Sequence, residues 1–455
     1  MTTLEDRRWI ALWAVLCAAA MDLLDATVMI VAGPSVQESF GSSDTVLLWL
    51  TASYTLPFGV LLILGGRLGD RWGRRRVFLI GATGFVLASI LCALAPSIDV
   101  LLASRALQGT FGALLIPQGY GLVGALFSRE NERGRAFSMF GPVSALAGVG
   151  GPILAGALIG WDIDGIGWRA IFLINVPIGV FVIVAAVACL PREATFRSVR
   201  VDPVGAVLVA TTAGLIVFPF IQGPESGWPW WTFVLLASSL VTGWALMKQV
   251  RRSSAPILEP TLLRKPAFIA GLALAIALFA GTGGLTLLLS LYLQLSGGDS
   301  ALETGLALAP LAIGIGIGSP IAARLRLRLG RRGLHVGLVV EIIGLALLAA
   351  AVAAGSGVIA LELTVFVIGL GQGLLFGPVV HTILGTADAH EMGSAAGAMT
   401  SLQQIATALG VAVLGTIFFT ATNATTMIAG VMLVIALMAL AAILVLRLPR
   451  TTPSY

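Results

Sequence analysis

Asp22, Asp25 and Arg105 stand out chemically in this chain. Each lies inside a long apolar run, while charged residues make up only 11% of the 455. A charged side chain in mid-bilayer costs roughly 2.5–3.5 kcal/mol even on lenient scales, so it needs a partner or a wet cavity. Asp25 lies sixteen residues past Trp9. At 1.5 Å per residue that is about 24 Å along a helix, which leaves about 6 Å to the far boundary of a core about 30 Å thick. Arg105 lies seven residues into a returning run that begins at Ile98, about 10 Å from the same boundary. The two depths match, so opposite charges can meet there. Asp22 precedes Asp25 by three residues and shares its helical face. Two carboxylates so close repel when both are charged, which suits a proton carrier. Asp22 suits equally the counter-ion of a cationic substrate. Glu341 near mid-span, Glu362 nearer a boundary, and the amides Gln108, Gln372, Gln403 and Gln404 complete the polar set in apolar surroundings.

The elements that hold these groups are membrane spans. Hydrophobic residues are 58% of the chain and mean hydropathy is +0.99, the composition of a polytopic membrane protein. The 55 glycines fit close helix packing. Fourteen apolar runs of about twenty residues each reach across a bilayer, the first near residues 9–31 and the last near 426–446. The fold class expected is therefore all-α with about fourteen spans. The net charge of +5 does not signal nucleic acid, because the basic residues sit in short loops beside apolar runs. With the N-terminus cytoplasmic, 25 of the 27 basic residues fall on the cytoplasmic side, which supports the count and places both termini inside the cell membrane. Cys17, Cys92 and Cys189 lie in apolar runs without ligand spacing. His335, His381 and His390 are too scattered for a metal, and no cofactor is expected. A Gly-x-x-x-x-Gly-Lys-Ser/Thr loop is absent and the lysines are only Lys248 and Lys265, which argues against ATP drive.

The polar string Gly66-Arg67-Leu68-Gly69-Asp70-Arg71-Trp72-Gly73-Arg74-Arg75-Arg76 cannot lie in lipid and must join two spans. A related string, Ala322-Ala323-Arg324-Leu325-Arg326-Leu327-Arg328-Leu329-Gly330-Arg331-Arg332, occupies the matching place in a second block of six spans. Gly371-Gln372-Gly373 on the twelfth span echoes Leu107-Gln108-Gly109 on the fourth. Duplicated halves suggest two bundles that rock around a central site. Residues 1–195 form the first six-span bundle in this reading, 196–255 two additional spans, and 256–455 the second bundle.

The Gly-x-Leu-x-Asp-Arg-x-Gly-Arg-Arg loop resembles the signature of the major facilitator superfamily. Within it the chain looks closest to the fourteen-helix drug:proton antiporters of the EmrB/QacA type. Leu24-Asp25-Ala26-Thr27-Val28 is similar to that family's first-span pattern, with Ile30 where asparagine is usual. Arg105-Ala106-Leu107-Gln108-Gly109 resembles its fourth-span motif, with Phe111 in place of a small residue. Gly148-Val149-Gly150-Gly151-Pro152-Ile153-Leu154-Ala155-Gly156 resembles the antiporter motif of the fifth span, with Ala155 for one glycine. Trp168-Arg169-Ala170-Ile171-Phe172-Leu173-Ile174-Asn175-Val176-Pro177 fits throughout.

The resemblance implies a major facilitator fold and transport by alternating access, without enzyme chemistry. It implies that the first and fourth spans line the cavity together. Asp25, Asp22 and Arg105 are then the proton-coupling set, with Asp25 alternating between Arg105 and a proton. Asp22, Glu362, Gln108, Gln372 and Gln404 are the substrate-contact candidates. Glu341 falls on a peripheral span, where contact with a neighbouring polar group is expected. Asp70, Arg71, Gly73, Arg74 and Arg75 suggest a cytoplasmic gate, with Glu130 and Glu132 as partners for Arg74 or Arg75. Gly148, Gly151, Pro152 and Gly156 would pack the antiporter-motif helix tightly. The partners expected are a lipophilic or cationic small molecule, protons and the bilayer, with the chain acting as a monomer. A facilitator or symporter for one metabolite, and a dedicated exporter of an endogenous secondary metabolite, stay open as alternatives.

Overall fold

The computed structural model describes residues 4–127, 129–162, 166–191, 202–253, 256–388 and 391–448. The regular structure among them is helical, and fourteen stretches are long and apolar enough to cross a membrane. The first six are α1 (Leu4–Phe40), α2 (Thr45–Trp72), α3 (Arg74–Ala93), α4 (Ile98–Leu126), α5 (Glu130–Ser138) running into α6 (Phe140–Trp161), and short α7 (Ala170–Leu173) running into α8 (Asn175–Cys189). Then come α9 (Pro203–Glu225) and α10 (Trp230–Arg252). The last six are α11 (Pro266–Leu291), α12 (Ala301–Leu329), α13 (Arg332–Ala353), α14 (Val358–Leu384), α15 (Met392–Phe418) and α16 (Ala424–Val445). The expected count of fourteen holds, though the helices overrun the apolar cores: α1 has 37 residues. Arg192, Arg197, Arg200, His390 and Arg450 lie outside the described residues.

Helix starts follow local chemistry. The Ser97 hydroxyl accepts from the Val100 amide at the head of α4, and Asp202 caps α9 just before Pro203. Ser300 and Glu303 form a capping box on α12, and Asn423 with Thr426 does so on α16. Each cap satisfies amides that the first helical turn leaves without partners.

The packing repeats. Helices α2 and α3 lie on α4, α1 lies on α6 and α8, and α3 touches α8. In the same pattern α12 and α13 lie on α14, α11 lies on α15 and α16, and α13 touches α16. Each of the two repeated Arg-rich loops breaks at a glycine of positive φ, 91° at Gly73 and 54° at Gly330, a region that favours glycine. Helices α9 and α10 pack on each other, and α9 leans on α2 and α15.

The two sets meet along α6–α12 and α2–α15. We call the side that carries the Arg-rich loops the basic face. Near the opposite face α6 and α12 meet backbone to backbone. A Cβ on Gly156 would stand 2.6 Å from the Ala301 carbonyl oxygen, and one on Gly305 would stand 2.7 Å from the Pro152 carbonyl carbon. There, too, Ser290 Oγ donates to the Ile30 carbonyl at 2.8 Å and Gln294 Nε2 to that of Val31 at 3.2 Å. Toward the basic face an added Cβ on Gly148 of α6 or Gly316 of α12 would meet no atom within 4 Å, and Leu146 and Ile317 are exposed. Along α6–α12 the helices are therefore in backbone contact near the opposite face and more loosely packed toward the basic face.

A side chain at Gly156 must push these backbones apart. Gly156→Val is expected to lower stability by roughly 1–3 kcal/mol through overpacking, read as thermal unfolding in detergent. Gly148→Ala, at the looser end, is expected to be neutral or slightly stabilising. Equal losses for the two variants would contradict the seam.

Candidate functional site: a buried carboxylate–arginine network

Asp25 of α1 and Arg105 of α4 form an ion pair, and each is 1% exposed. The matching depths read from the sequence thus end in direct contact. The second Asp25 oxygen accepts from Gln108 Nε2 at 2.6 Å and from Asn175 Nδ2 at 2.9 Å. Gln108 Nε2 also donates to Ser89 Oγ at 2.8 Å, and its oxygen accepts from Arg105 Nη1 at 2.8 Å. Helices α1, α3, α4 and α8 each supply a member of this network. Charge-assisted bonds of this kind are what a low-dielectric interior demands of ions, and of this network Asn175 Oδ1 is left without a partner among the described residues.

A second carboxylate hangs from the same network. Arg105 lies over the Tyr54 ring, 4.5 Å from its centroid, a cation–π contact. The Tyr54 hydroxyl donates to Asp22 Oδ1. Asp22 is only half-buried. Arg105 and Tyr54 therefore connect a fully buried carboxylate to a more accessible one a helical turn away. Sequence reasoning named no role for Tyr54, Ser89 or Asn175. Only polar residues within apolar runs marked them.

A family model, described as Major Facilitator Superfamily, matches residues 15–411. The chain belongs to the major facilitator superfamily. It is 44% identical to the probable actinorhodin transporter of Streptomyces coelicolor, over 91% of this chain and 73% of that protein. It is 39% identical to a puromycin resistance protein of Streptomyces alboniger, over 92% and 84%. It is 31% identical to a tetracenomycin C resistance and export protein of Streptomyces glaucescens, over 90% and 76%. A crystal structure of a peptide transporter with bound sulfate shares the fold with a TM-score of 0.67 at 20% identity, over 96% of this chain and 95% of that one.

This major facilitator chain departs from the sequence-based site in several places. Gln108 and Gln372 were expected to contact substrate, yet they are 0% and 2% exposed. Gln108 is spent on Asp25, Ser89 and Arg105, and Gln372 faces Glu341 within the α13–α14 seam. Glu362 and Gln404 are half-buried, and Gln404 packs against Gly59 where α15 meets α2. In the antiporter motif, Gly151 meets Thr27 of α1, and Pro152 and Gly156 meet α12, whereas Gly148 touches nothing. Phe111, unusual for its motif, lies against Gly84 of α3, which leaves room for the ring.

The signature loop mostly clamps its own bundle. Arg74 pairs with Asp70 at 3.1 Å and donates to the Gly121 carbonyl at 3.0 Å, and Arg75 donates to that of Val187 at 2.7 Å. Gly73 is buried at the break, while Arg71 is exposed. Arg67 reaches further, to the Pro256 carbonyl. Glu132, expected to partner Arg74 or Arg75, pairs with Arg8 at 3.6 Å and Arg129 at 3.5 Å. The side chain of Glu130 lies outside those described. The second copy repeats the clamp, since Arg331 donates to the carbonyls of Leu446 and Leu448 at the end of α16. Elsewhere outside the spans, Lys265 bonds Glu391 at 2.6 Å and Asp388 at 2.8 Å. Lys265 and Thr261 hold the Glu391 carboxyl down to about 2.

Removing one ion of a buried pair strands the other. Arg105→Ala is expected to cost about 3–5 kcal/mol of stability in detergent. The double variant Asp25→Asn/Arg105→Ala should recover part of that loss, because no charge is left unpaired. A double variant less stable than Arg105→Ala would contradict this reading.

Proposed function

We propose that this chain exports lipophilic, often cationic, small molecules across the cell membrane in exchange for protons. The observation that carries the reading is the buried Asp25–Arg105 pair joined through Tyr54 to half-buried Asp22. The named functions of the relatives supply the direction: transport, resistance and export of antibiotics. Those names favour a secondary metabolite or antibiotic as substrate over a nutrient.

The basic face is cytoplasmic in this proposal, with both termini inside, because the basic residues crowd there. The looser packing of α6 on α12 toward that face supports an inward-facing state. Residues 1–195 and 256–455 act as the two rocking bundles, with 196–255 as added helices, and one chain suffices as a monomer. Asp22 meets the positive charge of the substrate or a proton, and the two compete. When Asp25 takes a proton, Arg105 loses its counter-ion, and the network that ties α1, α3, α4 and α8 loosens. When Asp25 gives the proton up, the pair re-forms. Protonation is thereby tied to helix packing, which is the coupling that exchange requires. Asp70, Arg71, Gly73, Arg74 and Arg75 stiffen the first bundle at its cytoplasmic end, and Arg67 links it to the segment that enters the second. Glu362 and Gln404 remain the substrate contacts of the second bundle.

Reconstitution tests this. In vesicles with an imposed pH gradient, a fluorescent cationic dye should move against its own gradient as protons run the other way. Asp25→Asn should abolish uphill movement while leaving downhill equilibration. Dye movement indifferent to the proton gradient, or undiminished uphill transport in Asp25→Asn, would overturn the proposal.

A further inference from the structure

Glu341 has no part in the network above. It sits nine residues into α13, and it is 0% exposed. Among the described residues no donor bonds either carboxylate oxygen at ordinary hydrogen-bond geometry, and Nε2 of buried Gln372, its polar neighbour on α14, has no other partner. The site is tightly built. Gly371 brings the α14 backbone onto Glu341, with an added Cβ there 2.7 Å from its Cα, while Gly337 and Gly344 admit Leu375 and Ile368 of α14.

Among the described residues no cation answers this acid. Among the helices packed on α13, α16 carries no charged residue and α12 carries them only toward its ends, at Glu303, Arg324, Arg326 and Arg328. On α14, Glu362 and His381 lie ten and nine residues from Gln372, about 15 and 13 Å along the axis. On α13 itself, Arg332 and His335 precede Glu341 by nine and six residues, about 13 and 9 Å. The first bundle sets an amide, Gln108, against an acid and adds Arg105. The second sets an amide, Gln372, against an acid and adds nothing. A lone carboxylate in such a place takes up a proton instead of staying charged.

We propose that Glu341 holds a proton in this state, and that Glu341 with Gln372 is a second proton-binding site, on α13–α14, discharged when that seam admits water. The neutral acid offers one O–H donor and one carbonyl acceptor, and a carboxamide turned toward it answers both. The inference does not rest on coupling at Asp25, since a proton bound at Glu341 is detectable with or without transport.

Infrared spectroscopy of the full-length protein in lipid nanodiscs reads it. Near neutral pH the carboxylic-acid C=O band should be present, survive in Asp25→Asn and lose a component in Glu341→Gln. Glu341→Asp should shift that component, which keeps the test open if the amide variant folds poorly. The component should fade as pH is raised and return when it is lowered. A spectrum unchanged by both Glu341 substitutions, or a component that ignores pH, would overturn the proposal.

Discussion

The contact between Asp25 and Arg105 constrains the whole first bundle. Two opposite charges in an apolar interior repay their lost hydration only with close approach and satisfied neighbours. Four helices must therefore converge on one point, bringing Asp25, Ser89, Gln108 and Asn175 together. Convergence of that kind requires small residues where backbones touch, and Gly109 and Gly112 meet α2 at Tyr54 and Phe58.

The second bundle repeats the architecture with different chemistry. Helix pairings and glycine breaks correspond between the halves. The arginine partner does not, because Glu341 lies against Gln372 without a cation. Stiffness is also distributed unevenly. The α6–α12 seam is closed by bare backbone at one end, where glycine leaves no side chain to yield, and is more loosely packed at the other.

Much of this was legible in the sequence. A span must carry about twenty apolar residues, so the fourteen helices could be counted. Helical rise turned positions into depths, which brought Asp25 and Arg105 to one level. Side-chain direction was less legible. Gln108 looked like a substrate contact because an amide in an apolar run suits a cavity as well as a seam; its partners, Asp25 and Ser89, are remote in sequence. Tyr54 and Asn175 carried no charge to betray them. Gly148 was grouped with Gly151, Pro152 and Gly156 by motif, yet only the last three lie where helices touch.

The central claim is that a cationic substrate and a proton compete for the Asp22–Asp25 network. Adding a transported cation to the purified protein in weakly buffered detergent measures it directly, with a pH-sensitive dye as readout. The account predicts proton release on substrate addition in the wild type and a much smaller release in Asp22→Asn and Asp25→Asn that still bind substrate. Substrate binding without proton release in the wild type would contradict it.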